Sequence, residues 1–141
     1  MDLVSETLTF DRVHLYSTLK PGISLTVVLR HGDSAVECEA KLDTGSSHCI
    51  FKRSHGELLG IDIEAEASMW IATVTGRFEA HPHTVSIEVL GIKTESVVYF
   101  AADEMVSRSV LGRTGWLDRV QIGLIDYEGK LLLGDYLSPS S

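Results

Sequence analysis

The sequence predicts a mainly β fold, on three observations. Apolar residues recur at every second position, glycine- and proline-bearing turn clusters separate those runs, and only two short stretches read as helix. A strand over 8–16 ends at the turn residues Lys20-Pro21-Gly22. Ile23, Leu25, Val27 and Leu29 then face one way, with Ser24, Thr26 and Arg30 opposite. The cluster His31-Gly32-Asp33-Ser34 turns the chain into Val36, Cys38, Ala40 and Leu42, which alternate with Glu37, Glu39 and Lys41, so the two runs form a hairpin. Ser54 and Glu57 have the spacing of a capping box, which predicts a helix over 54–59 stopped by Gly60, and the chain returns to strand from Ile61. Strands over 69–74 and 78–90 flank Thr75-Gly76-Arg77, a long hairpin with Gly76 at its tip. His81-Pro82-His83 places part of the second arm on an edge or at a bulge, because proline donates no ladder hydrogen bond. Strands over 96–101 and 109–111 follow, then a second short helix marked by Trp116, Leu117 and Val120. A hairpin of 121–127 and 130–136 turns at Glu128-Gly129 and closes the fold.

Composition narrows the function classes. The chain has 141 residues, 44% of them apolar and 23% charged, which is the balance of one ordinary globular domain. No apolar run approaches the roughly 20 residues that cross a bilayer, so no membrane partner is expected. The net charge is −8 and the basic residues are scattered, which argues against nucleic acid. Residues 1–6 lack the basic and apolar regions of a secretory signal, so the expected location is cytoplasmic. Cys38 and Cys49 have neither disulfide-framework nor metal-site spacing and read as small buried hydrophobes. His81 and His83 share a strand face, but no cysteine or carboxylate completes a ligand set nearby. They read as surface histidines, and neither metal nor cofactor is expected. Ser46-Ser47-His48 lacks the elbow of a serine hydrolase. Trp70 and Trp116 read as packing residues, Trp70 with a second potential role lining a pocket near the long hairpin.

One string carries chemistry. Asp43-Thr44-Gly45-Ser46-Ser47 follows an alternating strand and precedes Cys49-Ile50-Phe51, and such a five-residue string arises by chance in roughly one chain in ten thousand of this length. With the hairpin around Gly76 and the segment Val110-Leu111-Gly112-Arg113, in that order, it resembles the retropepsin-like aspartic peptidases, the single-domain relatives of the retroviral proteases. Trp116-Leu117 and Gln121-Ile122-Gly123 add to the likeness. The resemblance covers about residues 22–124 of a single domain spanning 1–141, with 125–136 as a C-terminal hairpin extension and 137–141 as a tail.

That resemblance implies a closed β-barrel of the acid-protease type with a flap hairpin and two short helices. It also implies an aspartic endopeptidase in which Asp43 is catalytic. Metal-free amide hydrolysis needs one carboxylate to activate water and a second, protonated, to polarise the carbonyl. The chain holds no second Asp-Thr-Gly or Asp-Ser-Gly, so the partner carboxylate is expected from another copy, in a homodimer acting on an extended peptide or protein. By the same resemblance Thr44 braces the two loops across the dimer, Gly45 allows close backbone approach, and Leu111 and Gly112 support the loop from behind. A hydroxyl at Ser46 is expected to donate to the carboxylate, favour its charged form and shift the activity optimum towards acid. Val74, Thr75, Gly76 and Arg77 form the flap end over the substrate. Two departures stand out. Ser47 occupies the position where retroviral members carry an aspartate paired with the arginine after the hydrophobic-hydrophobic-Gly segment, so Arg113 needs another acceptor. The chain also runs on to Tyr136 past the expected terminal strand. The competing function is a non-catalytic dimerising or peptide-binding module of the same fold.

Overall fold

The structure is a computed structural model that describes residues 3–136. The tail at 137–141 lies outside them. Ten strands dominate: β1 (Arg12–Leu15), β2 (Ser24–His31), β3 (Ser34–Leu42), β4 (Ile50–Phe51), β5 (Met69–Thr73), β6 (Gly76–Val89), β7 (Ile92–Ala101), β8 (Val110–Leu111), β9 (Val120–Ile125) and β10 (Lys130–Asp135). The mainly β expectation holds, and the alternation explains it. Leu25, Val27 and Leu29 are fully buried on β2, and they pair across the sheet with Ala40, Cys38 and Val36 of β3.

The expected closed barrel is not what forms. The strands divide into a seven-stranded mixed sheet, ordered β2-β3-β8-β4-β7-β6-β5, and a three-stranded sheet, ordered β1-β10-β9. A short pairing of Val28–Arg30 with Ser86–Glu88 curls the larger sheet, yet β5 remains its free edge. The physical reason for two sheets is β10, which satisfies both its flanks with β1 and β9 and so holds the two ends of the chain in a layer of their own. Both layers share one core, in which Leu131, Leu133 and Trp116 pack with Leu25, Phe51 and Phe100.

The expected pair of helices is also corrected. Among the described residues one α-helix forms, α1 (Arg53–Leu58). Lys52 is its N-cap, without a side-chain bond, and Ser54 lies inside the helix, so the capping box is not made. Its C-terminus behaves as expected. Gly60 takes φ +76°, Gly60 N donates to Glu57 O and Ile61 N to Gly56 O, the paired bonds of a Schellman stop. Residues after Ile61 form a 3-10 turn (Ile63–Ala65) rather than strand. The second expected helix is a single 3-10 turn, Leu117–Arg119, because Val120 has already joined β9.

Pro82 sits where the sequence rule puts it. β6 pairs with β7 along this stretch, while its other flank is unpaired between the end of its β5 pairing at Ala80 and the start of its β2 pairing at Ser86. The histidines beside it are not free surface groups. His81 is 8% exposed and its Nδ1 lies 2.6 Å from Glu66 O, while His83 Nε2 lies 2.9 Å from Ile63 O. They tether the 63–66 segment to β6.

Gly56 shows how tightly α1 is seated. A Cβ there would stand 2.5 Å from Ile63 Cδ1 and 2.9 Å from Phe100 Cδ1. Gly56→Ala gains about 1 kcal/mol of helix propensity and loses about 1–3 kcal/mol to overpacking. The buried Phe100 ring has no room to retreat, so packing wins and a thermal melt of the variant should show a Tm several degrees lower. An unchanged or raised Tm would contradict this packing.

Candidate functional site

The chemistry-bearing string begins where β3 ends. Leu42 pairs in parallel with Leu111 of β8, and Asp43 N continues the ladder by donating to Leu111 O at 3.0 Å. The backbone then turns back on the aspartate: Gly45 N donates to Asp43 Oδ1 at 2.9 Å and Ser46 N to Asp43 O at 3.1 Å. This closed turn fixes a half-buried carboxylate at the sheet's end. A Cβ on Gly45 would stand 3.2 Å from that same Oδ1, so the small residue leaves the carboxylate accessible.

A second layer clamps the turn from behind. Arg113 N donates to Ser46 O at 2.9 Å and Thr114 N to Ser47 O at 3.0 Å. Between these bonds Gly112 lies against the loop, and a Cβ there would fall 2.1 Å from His48 O and 2.8 Å from Ser46 O. Only glycine fits. Gly112 N also meets Cys49 Sγ at 3.4 Å, and burial pushes the Cys49 thiol up to about 11, so it stays protonated near neutral pH. Cys38 and Cys49 are both buried and free, in line with their reading as small hydrophobes.

Two side chains of the string, and Arg113 behind it, fall differently from expectation or have no partner. Ser46 Oγ donates to His48 O at 2.7 Å, not to the Asp43 carboxylate, so it shapes the loop instead of tuning the acid. The short distance to a backbone carbonyl, two residues on, captures the hydroxyl locally. Thr44 is exposed, and its hydroxyl makes no hydrogen bond to another described residue. The Arg113 guanidinium likewise has no acceptor among the described residues, and with Ser47, Thr114, Leu117 and Asp118 it lines a separate hollow of about 300 Å³.

Opposite Asp43 stands the β5–β6 hairpin. Its turn is Val74-Thr75, with Thr73 paired to Gly76, so the tip lies one residue earlier than expected and Gly76 closes it at φ +152°. Between hairpin and loop lies a cleft of about 330 Å³. Of the residues singled out in the sequence, Asp43, Gly45, Ser46, Val74 and Val110 line it. Thr44, Thr75, Gly76, Leu111 and Gly112 do not, and Arg77 turns to the outer face, its guanidinium 4.6 Å over the Trp70 ring. Trp70 is therefore a surface residue of the hairpin's far side, while Trp116 is 1% exposed.

The cleft wall also contains Ile50, named above only as part of the run after the string, and residues the sequence reading passed over: Ile71, Phe78 and Arg108. Ile71 and Phe78 are a cross-strand pair on the inner hairpin face, which strand alternation in β5 and β6 could have marked. Arg108 lies in the connection before β8 and carries no sequence signal.

The sequence profile of a family described as "Aspartyl protease" matches residues 27–125. Among solved structures, the chain is similar to EIAV protease complexed with the inhibitor HBY-793, with a TM-score of 0.56 and 19% identity over 70% of this chain and 88% of that one. No curated protein matches.

Gly112→Ala forces a methyl group into a backbone carbonyl, and the loop has no alternative place for it. The variant should lose about 3 kcal/mol or more in chemical denaturation. A loss below about 0.5 kcal/mol would mean that Gly112 does not approach His48 this closely.

Proposed function

Because the chain belongs to the aspartyl protease family, we propose that it is an endopeptidase in which two copies each contribute Asp43 to one catalytic pair. The observation that carries this reading is the Asp43 carboxylate, held by Gly45 N in a cleft beneath a hairpin, in a chain whose sequence contains a single Asp-Thr-Gly.

Two such carboxylates on a two-fold axis share one proton, since like charges at close range cannot both ionise. The ionised member takes a proton from water as it attacks the peptide carbonyl. The protonated member donates to the carbonyl oxygen, and the tetrahedral adduct collapses as a proton passes to the leaving amine. The Gly45 N–H on Oδ1 orients the carboxylate. Thr44, whose hydroxyl bonds to no other described residue, is placed to hydrogen-bond to the second loop. Val74 and Thr75 at the hairpin turn close over an extended peptide, whose backbone pairs with the flap as an added strand.

Asp43→Asn keeps the acceptor for Gly45 N and removes the ionisable group. Peptide cleavage should fall by roughly 10²–10⁴-fold while the Tm moves by no more than the equivalent of about 0.5 kcal/mol. Equal cleavage by variant and parent in a mixed peptide library would remove Asp43 from the mechanism. Specific activity should also fall on dilution, in step with the loss of dimer in analytical ultracentrifugation. Full specific activity in a sample shown to be monomeric would refute the shared pair.

A further inference from the structure

Among the described residues lining the cleft one is a cation, the exposed Arg108. Arg108 lines it beside Val110, on the same wall as Ile50 and across from Ile71 and Phe78, and its guanidinium makes no hydrogen bond or ion pair with another described residue. Six of the chain's other basic side chains, Arg12, Arg30, Arg53, Lys93, Arg119 and Lys130, are paired with carboxylates, on a chain whose net charge is −8. An unpaired, solvent-exposed guanidinium at the edge of a cleft is a ready site for a carboxylate, because the planar fork binds two oxygens at once.

We propose that Arg108 is a specificity-determining residue that selects substrates with an acidic side chain close to the scissile bond. The inference rests on the peptidase reading above and deepens it. The charged groups lining the cleft are Asp43 and Arg108. In a two-fold dimer the two Asp43 carboxylates carry one negative charge between them, whereas the two Arg108 guanidiniums carry two positive ones, so the cleft is net positive in an acidic protein. The same symmetry sets one guanidinium on each side of the catalytic pair. An extended peptide therefore meets a cation both before and after its cut, with the aliphatic wall taking the neighbouring apolar side chains.

The test is a mixed library of unstructured peptides digested by the full chain, its Arg108→Gln variant and its Arg108→Glu variant, with cut sites read by mass spectrometry. The parent should favour Glu or Asp within two residues of the cut by about fivefold in kcat/KM over Gln or Asn. Arg108→Gln should abolish that preference while still cutting neutral peptides, and Arg108→Glu should turn it towards Lys and Arg. The parent's Glu-to-Gln ratio should also decline as the assay pH falls through about 4, where the substrate carboxyl takes its proton. Identical cut-site profiles for parent and Arg108→Gln would overturn the role of Arg108 and leave the peptidase reading standing. Absence of any cut by the parent would overturn both. In that case, affinity of the parent chain for Glu-bearing over Gln-bearing peptides, lost in Arg108→Gln, would distinguish a selective binding cleft from an inert one.

Discussion

The contact between Gly112 and the His48 carbonyl is the constraint on which the site is built. Because no side chain can stand between them, β8 and the loop after β3 lie close enough for Arg113 N and Thr114 N to reach Ser46 O and Ser47 O. Those bonds, with Asp43 N on Leu111 O, leave the turn one geometry, and the carboxylate points into the cleft because Gly45 N holds Oδ1. The interactions are backbone bonds among adjacent segments, so the geometry survives variation in most of the side chains around it.

The rest of the fold holds the hairpin opposite that loop. β6 is long enough to pair with β5 at the tip, with β7 along its length and with β2 at its far end, which ties the hairpin to the core through Ile87 and Val89. The tip itself has no such anchorage. Val74 is fully exposed and the Thr73–Gly76 closure bears only on its own hairpin, so this end is the part with least to lose by moving. A firm floor and a loosely held cover are what a cleft needs if an extended chain is to enter it.

How far the sequence spoke for itself depended on how local each feature was. The β2–β3 hairpin and the loop after it were legible because alternation, turn residues and the Asp-Thr-Gly string lie within one continuous stretch. Features set by distant partners were not. β7 begins at Ile92, earlier than the reading had it, since the turn into it uses Leu90 at φ +49° before Gly91, a conformation leucine seldom adopts. Ser46 looked free to serve the carboxylate, yet the His48 carbonyl takes its hydroxyl once Gly112 folds the loop. His81 and His83 looked exposed, yet the 63–66 segment covers them. The barrel failed as an expectation because β10 lies beyond the part of the chain that carries the resemblance, and it recruits β1 and β9 into a separate sheet. Arg108 entered the cleft through the path of the 102–109 connection, which no local pattern specifies.

The central claim, that one catalytic pair is assembled from two chains, is tested most directly by mixing. Wild-type chain and Asp43→Asn chain are denatured together at varying ratios, refolded, and assayed at constant total protein. If each site needs one Asp43 from each copy, activity follows the square of the wild-type fraction, and an equal mixture retains about a quarter of the full rate, because random pairing leaves that share of intact dimers. A straight-line dependence, with half the activity in the equal mixture, would show that each chain acts alone and would contradict the account.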